Sequence, residues 1–345
     1  MERRAPISRG SRRWLAAVTA VIIGAVLLGA CAGGGDDDTL RIYSGRHYGL
    51  EGAFEQFSEE TGIDVEFQFG NDAEMREKLV AEGEDTPADV YITVDAGNLV
   101  RGTEQGVFQP IDSPVLDEAV PEYLRDPDGN WYGLSERVRS IVYNPDEVDP
   151  SELSTYAALA DPEWEGRLCL RNSSGGYQQS LVAQLIADEG REEALRIVEG
   201  WLANAEIMEN DVMILDSIAE GRCDVGITNH YYLARKYAED PDFPVRMFWA
   251  DQDGNGVHVN TSGGGVTAHA TNPEAARQLL EWLATDGQEA FLAGQHELPA
   301  NPAAEPDEVV RENFDLDFVR NPMPVWEYGA LNVEAVEVMN EAGYR

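Results

Sequence analysis

The segment LRIYSGRHYGLEGAFEQFSEETGIDVEFQF, residues 40–69, decides the fold class. Residues 40–44 are interpreted as a strand, and residues 50–60 have the apolar spacing of an amphipathic helix that stops at Thr61-Gly62. Residues 63–69 alternate apolar and polar side chains, which indicates a half-buried strand. A strand, a helix and a second strand in this order predict a parallel sheet covered by helices.

The same alternation continues along the chain and restarts after a patch rich in Pro, Asp and Gly at 126–130. Further helices are predicted at 71–82, 96–102, 178–187, 191–204, 211–220, 273–286 and 333–342. Further strands are predicted at 88–93, 139–145, 225–228, 245–249 and 264–268. We therefore expect two α/β lobes with a cleft between them, because open α/β sheets bind ligands beyond the carboxyl ends of their strands.

Acidic residues dominate the charge of the chain. Its 64 Asp and Glu residues oppose 25 Lys and Arg, which gives a net charge of −39, while 43% hydrophobic residues supply a core. This balance argues against nucleic acid as a partner, because such binders need basic stripes against the phosphates, and against an anionic membrane surface. The sequence contains none of the motifs G-x-S-x-G, H-E-x-x-H and the phosphate-binding G-x-x-x-x-G-K-[ST]. We therefore expect that the protein is not an enzyme.

Residues 1–30 have the features of an export signal peptide. Five arginines and one acid precede an apolar run at 14–30 that ends in small residues. Without them, 63 acids face 20 bases and the net charge is −43. The ending Leu28-Gly29-Ala30-Cys31 resembles a bacterial lipobox, which predicts a lipidated Cys31, a flexible tether over 31–38 and a protein anchored on the outer side of the cell membrane. A plain cleaved signal or an N-terminal anchor helix would also place the folded part outside the cytoplasm.

The export signal also bears on the cysteines. Beyond Cys31 only Cys169 and Cys223 remain, an even pair in an oxidising compartment. We predict a disulfide between them, with two separate buried thiols as the alternative.

Tyrosines and one histidine gather where predicted strands end. His47-Tyr48 follows the first strand, Tyr177 lies where a strand turns into a helix, and Tyr231-Tyr232 follows the strand at 225–228. Strand ends of this kind collect ligand contacts in an α/β cleft. Packing with a hydrogen-bonded hydroxyl is the alternative for most of the 13 tyrosines.

These segments resemble the ferric-ion-binding proteins of bacterial ABC iron importers, from about residue 40 to the C-terminus. The matching motifs are Tyr-Ser-x-Arg-His-Tyr at 43–48, Ile-Val-Tyr-Asn at 141–144, Ser-Ser-x-x-Tyr-x-Gln-Ser-Leu at 173–181, Asn-x-Tyr-Tyr-Leu at 229–233 and residues 257–263. The resemblance implies the type II, transferrin-like periplasmic binding fold, with a hinge, and delivery of Fe(III) to an ABC permease. The ligands it implies are His47, Tyr48, Tyr177, Tyr231 and Tyr232.

The chemistry of these residues agrees with that assignment. Fe³⁺ favours anionic oxygen donors, and a tyrosine hydroxyl becomes a phenolate donor once the metal displaces its proton. Four phenolates would give the bound site a charge of about −1, which Arg46 and Arg139 are expected to offset. Ordinary ion pairing is the alternative for both arginines.

Two further expectations concern the surroundings of the site. The turn formed by Ser173, Ser174 and Gly175 at a helix start is a minor candidate for an anion site. His230 is expected to point away from the neighbouring tyrosines, with an additional metal ligand as the alternative. His258, His269 and His296 are interpreted as structural.

The expected lobes are discontinuous. The N-terminal lobe comprises 39–138 plus 262–310 and the C-terminal lobe 139–261 plus 311–345, with hinge crossings near 137–143 and 248–262 in a monomer. One alternative is a protein of the same fold that binds a phosphonate, thiamine or a polyamine between aromatic walls. The other is a secreted metal-dependent hydrolase with His47, His230 and nearby Asp residues as ligands. The missing metal-protease spacing and the absence of a clear general base argue against it.

Overall fold

A computed structural model describes residues 39–46 and 49–345 of the protein. The predictions for the signal peptide, for Cys31 and for the tether at 31–38 lie outside these residues, and so do His47 and Tyr48. None of the helices in the described part of the chain combines the length and the hydrophobicity needed to cross a bilayer.

The N-terminal part alternates strands and helices as the sequence predicts. Its elements are β1 (Leu40–Ser44), α1 (Glu51–Thr61), β2 (Val65–Phe69), α2 (Asp72–Glu82), β3 (Val90–Thr93), α3 (Ala96–Glu104) and α4 (Pro114–Ala119). Side-chain caps fix two of the helix starts, because Asn71 accepts the backbone N–H groups of Ala73 and Glu74, and Asp95 accepts that of Asn98.

The middle of the chain begins with a long strand and ends with another. Its elements are β4 (Tyr132–Tyr143), β5 (Leu168–Arg171), α5 (Gly176–Glu189), α6 (Arg191–Asn204), β6 (Ala205–Met208), α7 (Asp211–Ala219), β7 (Val225–Asn229), α8 (His230–Glu239), β8 (Arg246–Phe248) and β9 (His258–Val266). The C-terminal part adds α9 (Pro273–Ala284), α10 (Gln288–Leu292), β10 (Leu298–Pro299), α11 (Glu308–Asn313), α12 (Val325–Ala330) and α13 (Asn332–Ala342).

Two strands are longer in the structure than the sequence predicts. β4 begins seven residues before the predicted start at 139, and β9 begins six residues before the predicted start at 264. Many of the added residues are polar and nevertheless buried, including Ser135, Arg137, His258 and Asn260. A hydropathy pattern does not reveal such residues, because hydrogen bonds rather than apolar contacts make their burial tolerable.

The strands form one sheet in the order β2-β1-β3-β9-β4-β7-β5-β6, with β8 and β10 paired to β4. β1 pairs in parallel with β2 and β3, and β5 pairs in parallel with β6 and β7. The two parallel blocks are joined through the antiparallel pair β4 and β9, in which Arg137 lies opposite Asn260. β9 therefore borders the first block through β3, and β4 borders the second block through β7.

A disulfide joins Cys169 and Cys223, with their Cα atoms 5.9 Å apart. Cys169 lies in β5 opposite Gly226 of β7, and Cys223 lies just before β7. The bond therefore crosslinks two neighbouring parallel strands near their amino ends.

Candidate metal centre

Three of the five predicted ligands lie together in the structure. Tyr177 is the second residue of α5, and Tyr231 and Tyr232 are the second and third residues of α8. A hydrogen bond joins the side chains of Tyr177 and Tyr231, and the rings of Tyr231 and Tyr232 have centroids 4.4 Å apart. His47 and Tyr48 lie outside the described residues, so their part in the site stays a prediction.

The sheet explains why these tyrosines meet. β5 and β7 are parallel neighbours, so the helices that follow them start at the same edge of the sheet. α8 begins directly after Asn229, which donates a hydrogen bond from Nδ2 to the Tyr231 hydroxyl at 3.1 Å. Gly175 in the turn before α5 lets the Arg171 side chain approach closely, because a Cβ atom there would lie 2.4 Å from Nε of Arg171.

Three arginines surround the tyrosines. The guanidinium carbons of Arg137 and Arg171 lie 5.1 and 5.3 Å from the ring centroid of Tyr177. Arg235 lies 5.1 and 5.6 Å from the ring centroids of Tyr231 and Tyr232. The sequence prediction missed all three, although the spacing of four residues between Tyr231 and Arg235 on a helix was a readable signal.

The pKa values in the tyrosine cluster depend on burial and on the charges of neighbouring residues, which act in opposite directions. Burial raises the pKa of Tyr177 above its ordinary value, although Arg137 and the hydrogen bond from Tyr231 act in the opposite direction. Burial acts to lower the pKa of Arg171, but the charge of Asp211 and the neighbouring Tyr232 outweigh it and raise that pKa. Tyr177 is therefore protonated at neutral pH without a metal, and Arg171 is a permanent cation beside it.

Arg139, a predicted charge-offsetting residue, forms a buried ion pair with Asp211. Its Nη1 atom is 2.5 Å from Oδ1 of Asp211, and its Nη2 atom donates to Oε1 of Gln178 at 2.9 Å and to the Ile227 carbonyl at 3.1 Å. Arg139 thus connects β4, α5, α7 and β7. Asp211 also accepts a hydrogen bond from Arg171 at 2.8 Å. That Arg139 offsets the charge of a bound metal stays a prediction.

Arg46, the other predicted charge-offsetting residue, precedes residues 47–48 in the chain and is completely buried. Its Nη1 atom lies 2.8 Å from Oε2 of Glu297, which is itself 1% exposed. Glu297 is therefore a charged partner of Arg46 within the protein, and that Arg46 offsets the charge of a bound metal stays a prediction.

The turn at 173–175 borders a cavity of about 350 Å³. Tyr177, Arg171, Asp72, Asp95 and Arg101 also line it. A second cavity of about 600 Å³ shares Asp72, Arg171 and Tyr177 with the first and is bounded by Gly45 and Tyr232. Ser174 donates its hydroxyl to Oδ1 of Asn172 at 2.6 Å, and an anion at Ser173, Ser174 and Gly175 stays a prediction.

The buried histidines have partners in the protein. His230 accepts the backbone N–H of Val138 on Nδ1 at 3.1 Å, and burial lowers its pKa to about 4. The ring of His258 lies 3.0 Å from Oγ of Ser180 and 2.6 Å from Oε1 of Gln184. Within residues 39–46 and 49–345, no group of three His, Cys, Asp or Glu side chains is placed to hold a metal ion.

Comparison with known proteins gives consistent results. The family described as bacterial extracellular solute-binding protein matches residues 44–290. The chain is 38% identical over 344 residues to iron uptake protein A1 of Synechocystis sp., covering 94% of this chain and 95% of that protein. It is 28% identical to the Fe(3+)-binding periplasmic protein of Serratia marcescens, covering 89% of this chain and 91% of that protein.

A solved structure supports the same relationship. The FutA (IdiA) protein of Trichodesmium, in complex with iron and citrate ligands, matches this fold with a TM-score of 0.84 and 37% identity, over 89% of this chain and 100% of that chain. This match confirms the predicted type II periplasmic binding fold. Because the family match spans most of the chain and the relatives are similar over nearly their whole length, the protein belongs to the bacterial extracellular solute-binding protein family.

Proposed function

We propose that the protein captures Fe(III) through Tyr177, Tyr231 and Tyr232, with His47 and Tyr48 completing the ligand set, and delivers it to an ABC permease. The observation that carries this proposal is the convergence of the three tyrosines, two of them joined through their side chains, at one edge of the sheet. The iron uptake and Fe(3+)-binding proteins named above support it, because their similarity extends over nearly the whole chain.

The donor chemistry fits the metal. Fe³⁺ is a small, highly charged ion that binds anionic oxygen, and a phenol supplies such an oxygen when the metal displaces its proton. Arg137, Arg171 and Arg235 stabilise the phenolate forms, because a positive charge near an acid favours its ionised state. Iron is the cargo in this scheme, and the protein catalyses no reaction.

The lobes are the moving parts of the proposed cycle. The N-terminal lobe comprises 39–138 plus 262–310, and the C-terminal lobe comprises 139–261 plus 311–345. The hinge lies where β4 and β9 pass between them, since β9 pairs with β3 of the first parallel block, β4 pairs with β7 of the second, and the two long strands pair with each other. Closure brings the segment at 47–48 onto Tyr177, Tyr231 and Tyr232. In this proposal the protein is a monomer, exported by its signal peptide and held at the membrane by a lipid on Cys31.

The test uses the colour of iron phenolates. Ferric iron is added to metal-free protein, and a visible phenolate-to-iron charge-transfer band is measured for the parent and for Tyr177→Phe, Tyr231→Phe and Tyr232→Phe. The parent is expected to become coloured and each variant to lose intensity or shift its band. Tyr237→Phe is the matched control, because Tyr237 lies on α8 as well but donates its hydroxyl to the Val245 carbonyl at 2.5 Å.

Two results would contradict the proposal. A parent protein that stays colourless excludes a phenolate iron site, and stabilisation of that protein by a phosphonate, thiamine or a polyamine would then identify another cargo. A band that survives unchanged in all three variants excludes these tyrosines as ligands even if iron binds.

A further inference from the structure

Asp211, the first residue of α7, is completely buried and pairs with two arginines. Its Oδ1 atom lies 2.5 Å from Nη1 of Arg139, and its Oδ2 atom lies 2.8 Å from Nη1 of Arg171. By formal charge, two guanidinium groups against one carboxylate leave one positive charge in excess. The carboxylate therefore holds together two cations that would otherwise repel each other.

The Oδ1 side of this carboxylate is fixed by the sheet. Asn229, the last residue of β7, donates its backbone N–H to Oδ1 at 3.4 Å. The side chain of Asn229 accepts a hydrogen bond from Arg139 at 3.3 Å and donates one to the Tyr231 hydroxyl at 3.1 Å. Arg139 and Asn229 lie opposite each other on β4 and β7. The orientation of the carboxylate is therefore set by this strand pair.

The Oδ2 side holds Arg171, the last residue of β5. The backbone of Arg171 is held as well, because its carbonyl accepts a hydrogen bond from the Tyr344 hydroxyl. In the described part of the chain, Asp211 is the acid that pairs with this side chain, and Nε of Arg171 is buried without a hydrogen-bond partner there. The guanidinium carbon lies 5.3 Å from the ring centroid of Tyr177, and Tyr232 is near enough to interact with its charge. Asp211 therefore decides where this cation lies relative to the two phenols.

The position of the cation matters because each phenol has to lose a proton when it binds ferric iron. The attraction between a cation and a phenolate falls with distance and is weakened by water. A guanidinium paired with a buried carboxylate keeps a fixed orientation, since the planar fork of Arg matches the carboxylate geometry. Replacing residues that support metal ligands from outside the coordination sphere typically costs about 10- to 100-fold in metal affinity.

We propose that Asp211 is a positioning residue of the iron site, which holds Arg171 beside Tyr177 and Tyr232 so that the guanidinium stabilises the phenolate forms of these two ligands. This inference rests on the proposed function, because it assigns the support of two of the proposed ligands. Asp211 itself does not contact the metal in this scheme. Its effect on iron runs through Arg171.

The test compares Asp211→Asn with Glu136→Gln. Asparagine keeps the shape of the side chain but replaces one acceptor oxygen by an N–H donor, so it cannot pair with Arg139 and Arg171 together. Glu136 is the matched control, because it is a buried carboxylate that pairs with Arg320 at 2.8 Å, and it lies on the opposite face of β4 from Arg139. Thermal unfolding of the metal-free proteins measures the cost to the fold. The charge-transfer band and the Kd for ferric iron, measured by competition with a chelator, report on the site.

Arg171→Lys is the second variant, and it leaves the buried pair of Asp211 and Arg139 in place. Lysine keeps the positive charge but lacks the planar fork that pairs with a carboxylate in a fixed orientation. If the position of the charge matters, this variant binds iron more weakly although the net charge of the protein is unchanged. It also keeps the inference testable if Asp211→Asn destabilises the fold too far to be purified.

We expect Asp211→Asn and Arg171→Lys each to raise the Kd about 10-fold or more and to shift the charge-transfer band, while Glu136→Gln leaves both unchanged. In the Arg171→Met background, Asp211→Asn should have a smaller additional effect on the Kd, because both changes act on the same cation. Parent-like iron binding by Asp211→Asn or by Arg171→Lys, an equal loss in Glu136→Gln, or fully additive effects would overturn the inference. A colourless parent would instead refute the proposed function itself, so the two failures are distinguishable.

Discussion

Cys169 and Cys223, which are joined by a disulfide, each lie eight residues before a tyrosine of the proposed site, namely Tyr177 and Tyr231. Cys169 lies in β5 and Cys223 just before β7, and these strands pair in parallel. The disulfide therefore crosslinks, at the end away from the site, the two strands that lead to the tyrosines. The disulfide is connected to the tyrosines through the backbone of β5 and β7 and the hydrogen bonds between these strands.

Removing this crosslink is expected to cost stability and leave the coordination intact. Cys169→Ser combined with Cys223→Ser should lower the free energy of unfolding by about 4 kcal/mol, because the bond closes a loop with a sequence separation of 54. The β5–β7 ladder remains, so the wavelength of the iron band should not change. Urea unfolding and the visible spectrum measure the two effects. An unchanged unfolding midpoint, or a shifted band, would contradict this division between stability and geometry.

Replacing Gly45 by a residue with a side chain is predicted to destabilise the fold for a steric reason. A Cβ atom at this position would lie 1.6 Å from Oδ1 of Asp72, which accepts hydrogen bonds from Thr93 Oγ1 at 2.7 Å and from the Val94 N–H at 3.2 Å. We expect Gly45→Ala to lower the free energy of unfolding by about 1–3 kcal/mol, as overpacking does, measured by denaturant unfolding.

Two comparisons make the Gly45 prediction specific. Adding Asp72→Ala to Gly45→Ala should recover part of the loss, because it removes the clashing carboxylate. Gly52→Ala should be neutral or slightly stabilising, because a Cβ atom there meets nothing within 4 Å and Gly52 lies in α1. A Gly45→Ala protein as stable as the parent would show that the contact between Gly45 and Asp72 is not tight.

His258 should make the protein sensitive to acid. Burial lowers its pKa to about 3 in the folded protein, against about 6.5 in an unfolded chain. Between these values the unfolded state binds the additional proton, so the contribution of neutral His258 is complete above about pH 6.5 and is lost as the pH falls. The loss amounts to about 2 kcal/mol between pH 7 and pH 5.

The variant His258→Gln isolates the contribution of His258 to the pH dependence of stability. It should be less stable than the parent at pH 7, since Ser180 and Gln184 lose the imidazole, and the difference should shrink by about 2 kcal/mol at pH 5. Other titrating groups, including His230, are common to both proteins and cancel. Urea unfolding at several pH values measures the difference. A difference that is constant from pH 7 to pH 5 would mean that His258 is not held neutral.

The sequence predicted most of the elements in their order and the places where the tyrosines lie, because apolar periodicity and strand ends are local properties. It did not predict the short elements α4, β6, β10, α11 and α12. It did not predict the full length of β4 and β9, since Ser135, Arg137 and Asn260 are polar residues whose burial depends on partners far away in the chain. The sequence also does not show which side chain a buried arginine contacts. Arg46 and Arg139 were predicted from their positions near motifs, but whether an arginine faces a carboxylate or a tyrosine is decided by tertiary packing.

Arg171 provides the sharpest test of how the tyrosine cluster becomes anionic. Its guanidinium lies 5.3 Å from the Tyr177 ring and next to Tyr232, so Arg171→Met should raise the pKa of these phenols and weaken ferric iron binding by about 10- to 100-fold. Asp211 keeps Arg139 as a partner at 2.5 Å, which limits damage to the fold.

Arg167→Met is the control for this prediction, because Arg167 precedes β5 as Arg171 ends it but pairs with Asp224 at 2.5 Å and lies over the Trp164 ring. Chelator competition should give the control a parent-like Kd for iron. The affinity lost in Arg171→Met should also be partly recovered at higher pH, where the phenols ionise more readily without a neighbouring cation. Equal affinities of the two variants would mean that Arg171 supports Asp211 alone, and that the charge of the phenolates is balanced by Arg137 and Arg235.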